Sequence, residues 1–161
     1  MKNVMKSETN CPFCFSQDDP YIFFRNELFF SIYNRAPILP GHSLVVPRRH
    51  VSSFEELTDD ELSGMLHFCK RVNAILQAAF PASGFNWTLQ DGVAAGQTVE
   101  HLHVHIIPRK ANDLPEPGDW YPKLKVAEQN FIDSNDRPQY THSELIIISQ
   151  RLNSIANKIY S

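Results

Sequence analysis

Apolar residues recur at helical spacing in two stretches of the chain. Residues 58–61 read Thr-Asp-Asp-Glu, a capping box that marks a helix start. Behind it the apolar positions are Leu62, Met65, Leu66, Cys69, Val72, Leu76 and Phe80. Pro81 and Gly84 end this stretch, so the spacing predicts one long helix. A second stripe predicts a C-terminal helix over residues 143–160, with Leu145, Ile148, Leu152, Ile155 and Ile159 on one face.

Runs rich in branched and aromatic residues predict strands between these helices. They cover residues 21–24, 27–33, 43–46, 85–89 and 102–107. The connections are too short for most parallel crossovers, which favours an α+β fold with a mainly antiparallel sheet of about five strands. We expect a loose tail at residues 1–10 and one domain at 11–161. The five prolines and glycines between 109 and 142 predict an irregular segment there.

Composition and charge narrow the classes of partner. The chain has 161 residues, 42% hydrophobic and 20% charged, with a net charge of -3. Such a charge argues against nucleic-acid and anionic-lipid partners. No apolar run approaches the roughly 20 residues of a membrane span, and the polar start of the sequence lacks the apolar core of a signal peptide. We therefore expect a cytoplasmic protein that neither crosses nor binds membranes, and no structural disulfide.

The stretch Glu-His-Leu-His-Val-His-Ile-Ile-Pro-Arg, residues 100–109, carries the strongest chemical signal. On a strand, alternate side chains share a face, so His101, His103 and His105 would lie together above an apolar underside. Burying three imidazoles without partners is costly, which argues against a purely structural role. The rings could bind a metal, hold an anion or do chemistry on it.

The surrounding residues resemble the histidine triad superfamily of nucleotide hydrolases and transferases. The resemblance rests on Gln-Asp-Gly at 90–92, Gly-Gln-Thr-Val at 96–99 and the His-x-His-x-His run. Asn-Arg-x-Pro-x-x-Pro-Gly-His at 34–42 adds to it. The chain looks most like the fragile histidine triad branch of dinucleoside polyphosphate hydrolases, over roughly residues 11–121. A histidine triad fold is what this resemblance implies.

The resemblance also implies catalytic roles. His103 would attack the α-phosphorus, and a neutral imidazole is a competent nucleophile at neutral pH. His105 would donate to non-bridging phosphate oxygens, where charge develops. Gln90 would face the bridging oxygen, and His42 would support the active-site histidines from the adjacent strand.

The same resemblance implies a set of substrate contacts. Asn34 would bind the ribose and Gln97 the phosphate region, while Ile32 and Leu44 would sandwich the base. For these two aliphatic residues, plain core packing is an equal alternative. Tyr121 occupies the place of a tyrosine that ends the branch's flexible segment, where a lid or a selector of substrate length is expected.

Cys11-x-x-Cys14 has a spacing that suits either a metal site or a redox pair. Some histidine triad proteins pair such cysteines with a histidine placed like His50 and with the first triad histidine. On that pattern, Cys11, Cys14, His50 and His101 would form a closed structural zinc site. The fragile histidine triad branch lacks the cysteine pair, and the alternative is two reduced thiols in a mobile tail. Mg²⁺ or Mn²⁺ could also accompany the substrate phosphates.

The function expected from the resemblance is cleavage of diadenosine tri- or tetraphosphate through a nucleotidyl-histidine, with release of AMP. A nucleoside phosphoramidase or nucleotidyltransferase would use the same intermediate. Two hypotheses without this intermediate are a nucleotide-binding module that lacks catalysis and a catalytic centre of three metal-bound histidines. The resemblance also predicts a homodimer.

Overall fold

Five antiparallel strands form one sheet in this computed structural model, which describes residues 11–14, 18–129 and 139–161. The strands are β1 (Ile22–Arg25), β2 (Phe29–Tyr33), β3 (Ser43–Pro47), β4 (Gly84–Leu89) and β5 (Val104–Arg109). Their order across the sheet is β1-β2-β3-β5-β4. The helices are α1 (Asp59–Ala79), α2 (Trp120–Gln129) and α3 (His142–Tyr160), with short 3-10 turns at Phe54–Glu56 and Val93–Ala95. The predicted α+β fold is confirmed, and the tail at 1–10 lies outside the described residues.

The two faces of the sheet have different neighbours. One face packs against α1 and α3, where Phe23, Val45 and Ile106 join helix residues such as Val72 and Leu152 in the main core. The opposite face carries a row of side chains at matched positions on all five strands. In spatial order these are Ile22, Ile32, Leu44, His105 and Thr88. A single imidazole therefore follows three aliphatic side chains in the row, on the face that the long helices leave open.

Capping boxes fix where α1 and α3 begin. The backbone N–H of Glu61 donates to the Thr58 hydroxyl, and the Glu61 carboxylate accepts from the Thr58 N–H. Thr141 and Glu144 form the same capping box at α3. This helix begins at His142, one residue before the predicted start at 143. Of the helices in the described ranges, none combines the length and the apolar character that a membrane span requires.

Helix α2 lies inside the segment 109–142 that the sequence analysis expected to be irregular, so that expectation is wrong for residues 120–129. Pro122 suggested an interruption, but it is the third residue of the helix. A proline is tolerated in the first turn because no backbone acceptor awaits its missing N–H there. Leu124 anchors the helix and is 2% exposed. Residues 130–138 lie outside the described part of the chain.

Arg109 organises the loop that follows β5. Its guanidinium donates to both carboxylate oxygens of Asp113, at 2.9 Å each, and to Asn86 on the neighbouring strand. It also donates to the Pro117 carbonyl, so one side chain joins the strand end to both ends of the loop. These hydrogen bonds lower the pKa of Asp113 from 3.8 to about 2.

We predict that Asp113→Asn destabilises the protein in a pH-dependent manner. The pKa of Asp113 is depressed in the folded state, so its stabilisation is full above the unfolded pKa and is lost as the pH falls towards about 2. The free energy of unfolding should therefore drop by roughly 2 kcal/mol near pH 6, and the difference should shrink below about pH 4. Urea unfolding at several pH values measures this. A difference that stays constant with pH would contradict the ion-pair assignment.

Gly41, in the turn before β3, has the closest neighbours of the glycines whose surroundings are described. Its φ is +91°, a conformation that disfavours side chains. An added Cβ would lie 2.6 Å from Cγ of Pro108 and 3.0 Å from the Phe80 ring. Its N–H donates to the Tyr33 hydroxyl, which fixes the turn leading into β3.

We predict that Gly41→Ala lowers the free energy of unfolding by about 2–4 kcal/mol, because it combines backbone strain with a clash against a rigid proline ring. Gly84→Ala is the matched control, since a Cβ there meets nothing within 4 Å. Chemical denaturation of both variants measures the contrast. Similar stability of the two variants would show that the turn relaxes easily.

Candidate functional site

The three alternate histidines divide between two places. Strand β5 begins at Val104, so His105 lies on the strand while His101 and His103 precede it. The prediction of one strand carrying all three is therefore wrong at its start, because the chain joins the sheet only at Val104. The rings of His103 and His105 lie 4.8 Å apart, centre to centre. The ring of His101 meets the two cysteines instead.

His103 has a fixed protonation pattern. Its Nδ1 lies 2.8 Å from the carbonyl oxygen of His101, and a carbonyl only accepts. Nδ1 therefore carries the proton, which leaves a lone pair on Nε2 of the neutral ring. Burial lowers the pKa of His103, whose side chain is 6% exposed. The result is an uncharged imidazole with an available nucleophilic nitrogen.

Hydrogen bonds from the turn before β3 set the proton on His105. The backbone N–H of Ile38 donates to Nδ1 of His42, so neutral His42 carries its proton on Nε2. That nitrogen donates to Nδ1 of His105 at 2.9 Å. His105 must then carry its own proton on Nε2, where it can serve as a donor. Asn34 lies beside this relay, with its amide nitrogen 3.4 Å from Nε2 of His42.

Gln90 and Gln97 make different kinds of hydrogen bond. Leu89 pairs with Val104, so Gln90 follows β4 directly across from His103. Its amide nitrogen donates to Thr88, while its buried Oε1 has no hydrogen-bond partner among the described residues. Gln97 instead accepts from the Gly92 N–H and donates to the Ser52 carbonyl. Its amide therefore holds the loop closed, which the sequence analysis did not foresee.

A cavity of about 350 Å³ opens beside His103 and His105, within the size range of small-ligand sites. Ile32 and Leu44, neighbours in the cross-strand row, form its apolar floor, and Asn34 lies at its edge. The structure thus brings together His103, His105, Asn34 and both predicted base-contact residues. Tyr121 is absent from the described lining and is 52% exposed beside Trp120.

The far wall of the cavity was missed by sequence reasoning. It consists of Tyr21, Leu124, His142 and Leu145, from the residue before β1 and from helices α2 and α3. Leu145 had been predicted on the apolar stripe of the C-terminal helix and Tyr21 at the start of a strand, but neither pattern indicates a cavity. The other contacts join residues that are distant in sequence, so no local pattern reveals them.

The four predicted metal ligands lie together. The donor atoms of Cys11, Cys14, His50 and His101 are all within 4.8 Å of one another. Nε2 of His101 donates to the Pro47 carbonyl, so Nδ1 presents its lone pair to Cys11 Sγ at 3.3 Å. Burial lowers the pKa of His101 to about 4, which keeps the ring neutral. Two thiols and two oriented imidazoles form a group that could hold a metal ion.

Phe13 connects this cysteine–histidine cluster to the cavity. It lies between the two cysteines and is 9% exposed. Its ring contacts the rings of His101 and His103 edge-on, with centroid distances of 6.1 and 5.0 Å. Phe13 also lines the cavity, so the segment that carries the cysteines forms a wall against His103.

Comparisons with known proteins identify curated relatives of this chain. The bis(5'-nucleosyl)-tetraphosphatase [asymmetrical] of Schizosaccharomyces pombe is 42% identical over 120 residues, 72% of this chain and 66% of that protein. The bis(5'-adenosyl)-triphosphatase of Dictyostelium discoideum is 40% identical over 108 residues, 67% of this chain and 72% of that protein. The chain therefore spans about two thirds of the length of these curated relatives.

A solved structure shows the same fold. The Plasmodium falciparum diadenosine triphosphate hydrolase, in complex with cyclomarin A, superposes with a TM-score of 0.72 over 91% of this chain and 83% of that one, at 24% identity. Residues 16–112 match the HIT domain family, a range that includes His42, Gln90 and the three alternate histidines. By this match and these relatives, the chain belongs to the HIT domain family.

Proposed function

We propose that this protein hydrolyses dinucleoside polyphosphates, such as diadenosine tri- or tetraphosphate, at the α-phosphate and releases AMP. The observation that carries the proposal is the Nε2 lone pair of His103, fixed by the Nδ1 hydrogen bond, beside a nucleotide-sized cavity. The names of the relatives in fission yeast and Dictyostelium support the substrate class.

The reaction divides into two displacements. Nε2 of His103 attacks the α-phosphorus, the bond from phosphorus to the bridging oxygen breaks, and the remaining nucleotide leaves. Water then attacks the nucleotidyl-histidine, the P–N bond breaks, and AMP departs. His105 donates from Nε2 to a non-bridging oxygen, and the His42 relay keeps that proton in place. The amide N–H of Gln90, which lies across from His103, donates a hydrogen bond to the bridging oxygen.

Substrate binding follows the cross-strand row. The base lies over Leu44 and Ile32, and the ribose meets Asn34 at the cavity edge. Gln97 affects phosphate binding indirectly, through the loop that its side chain holds closed. The role of Tyr121 at the end of a lid stays a prediction, as do the homodimer, the cytoplasmic location and a Mg²⁺ or Mn²⁺ ion on the substrate phosphates.

The hydrogen bonds of the histidines argue against three of them sharing one catalytic metal. Nδ1 of His103 bonds a carbonyl, Nδ1 of His105 accepts from His42, and His101 faces the cysteines. A phosphoramidase or nucleotidyltransferase would use the same nucleotidyl-histidine with another leaving group or acceptor. The products identify a transferase, since transfer of the AMP moiety from diadenosine triphosphate to phosphate yields two ADP, whereas hydrolysis yields AMP and ADP. The substrate identifies a phosphoramidase, since that enzyme also releases AMP.

We further propose that Cys11, Cys14, His50 and His101 hold one structural Zn²⁺. Four ligands of this type complete a tetrahedral site and leave no position for water. A bound ion would cross-link the N-terminal segment to the residues that precede β5. The Pro47 carbonyl fixes the tautomer of His101 that such a site requires.

Mutation of the nucleophile gives the first test. We expect His103→Ala to lower kcat for diadenosine triphosphate by at least about 10⁴-fold, because no other group supplies the covalent step. Mass spectrometry of protein quenched during turnover should show an AMP-sized adduct on the peptide that contains His103. His67→Ala is the matched control, since His67 lies exposed on α1 and bonds only the Ser63 carbonyl in the described contacts.

Retained hydrolysis in His103→Ala would contradict the covalent mechanism. An adduct on wild-type protein without release of AMP would favour a transferase, and acceptors such as inorganic phosphate would then be supplied to identify it.

Replacement of the cysteines tests the zinc site. We expect wild-type protein to contain about one zinc per chain by elemental analysis, and Cys11→Ser/Cys14→Ser to contain none. Loss of the cross-link should lower Tm by roughly 5–10 °C, as expected for a few kcal/mol in a domain of this size. Cys69→Ala is the control, because Cys69 is buried in the core beneath the sheet. Equal metal content in the two variants would refute the site.

A further inference from the structure

Two polar side chains meet at the end of the cavity that lies away from the catalytic histidines. The hydroxyl of Tyr21 and Nδ1 of His142 are hydrogen-bonded to each other. Their rings meet edge to face, 5.3 Å apart and inclined at 87°. Both residues line the cavity, whose neighbouring wall is formed by Leu124 and Leu145. A polar pair in an apolar wall is the arrangement that gives a pocket its selectivity.

The Tyr21–His142 pair lies where the base end of a nucleotide would be if its phosphate were at the histidines. Tyr21 precedes β1, while His105 lies on β5, and the sheet order places β2 and β3 between them. Three interstrand steps of about 4.8 Å separate the two ends by about 14 Å. An extended nucleoside monophosphate covers such a distance. With its phosphate at the histidines and its base over Leu44 and Ile32, the far edge of the base reaches Tyr21 and His142.

The pair presents one donor and one acceptor in either of its proton arrangements. If the Tyr21 hydroxyl donates to Nδ1, the neutral His142 ring carries its proton on Nε2, and the phenol oxygen accepts. If Nδ1 donates to the phenol oxygen, Nε2 accepts and the hydroxyl donates. The Watson–Crick edge of adenine presents a donor amine at position 6 and an acceptor ring nitrogen. The same edge of guanine presents an acceptor carbonyl at position 6 and a donor ring N–H. Exchange of protons with solvent interconverts these two neutral arrangements, so the pair suits both bases.

The backbone around the pair holds both side chains in place before any ligand binds. The Ser149 hydroxyl on α3 donates to the Tyr21 carbonyl at 3.1 Å. His142 is the first residue of α3, directly after the Thr141 cap. The N–H of Tyr140 donates to the Arg35 carbonyl, which ties the start of the helix to the turn after β2. Positions fixed in this way lower the entropy lost on binding.

We propose that the Tyr21–His142 pair binds the hydrogen-bonding edge of the purine base and makes the site selective for purines with a polar substituent at position 6. This inference rests on the proposed function, since it assumes that the cavity binds a nucleotide. His142 lies beyond residues 16–112, the range that matches the family, so base selection would depend on a part of the chain outside that match.

Calorimetric titration of Tyr21→Phe and His142→Ala tests the proposal. The ligands are AMP, GMP and purine riboside 5'-monophosphate, which has hydrogen in place of the 6-amino group. We expect each variant to bind AMP and GMP about five- to tenfold more weakly, the effect of one lost hydrogen bond. Purine riboside monophosphate keeps the acceptor nitrogen and lacks only the amine, so its binding should change less than about twofold in Tyr21→Phe. The double variant should lose less than the product of the single effects, because the two residues act together.

Controls separate this inference from the function on which it rests. His67→Ala should bind all three ligands as wild type does, and both cavity variants should keep the Thr141–Glu144 capping box and the wild-type Tm. Unchanged AMP affinity in both variants, or an equal loss for all three ligands in Tyr21→Phe, would overturn the inference while leaving hydrolysis at His103 intact. Wild-type protein that neither binds AMP nor hydrolyses diadenosine triphosphate would overturn both proposals.

Discussion

The register between β3 and β5 is the constraint on which the site depends. Leu44 lies opposite His105, and Ser43 opposite Ile106, so His42 enters the sheet beside the strand that carries the site. A shift of one residue would reverse every side chain of β5. His105 would then face the core with Phe23 and Val45, and Ile106 would replace it in the cavity. Burial of Val104 and Ile106 under α1 and α3 thus holds the imidazole on the open face.

Electrostatic control of the site comes from hydrogen-bond direction rather than from net positive charge. Backbone groups determine which nitrogen of each histidine is protonated: the His101 carbonyl for His103, the Ile38 N–H for His42 and the Pro47 carbonyl for His101. Neighbouring imidazoles can therefore remain neutral and still differ in role, one presenting a lone pair and another a proton. This arrangement is open to a chain with a net charge of -3, and the phosphate site that we propose therefore needs no cluster of cationic side chains.

The parts that the sequence predicted are those encoded over a few residues. Thr58 with Glu61 marked the start of α1, and the spacing of apolar residues marked α3. The alternate histidines and the cysteine pair identified two clusters, because each depends on residue types at short separation. The sheet order and the far wall of the cavity depend instead on contacts such as that between Tyr21 and His142, which are 121 positions apart. Helix α2 was missed because a proline in a first turn has the same local appearance as a proline that breaks a helix.

The attachment of α3 to β1 has a consequence for the order in which the domain can assemble. The Ser149 and Asn153 side chains donate to the carbonyls of Tyr21 and Phe23, across 128 and 130 positions of sequence. During synthesis on the ribosome, β1 is made long before the helix that covers it. Until α3 has been made, Phe23 and its neighbours lack the helix that covers them in the folded domain. Nascent chains with apolar residues exposed in this way are prone to associate. Docking of α3 covers these residues and brings His142 to Tyr21, so burial of β1 and completion of the cavity wall depend on the same helix.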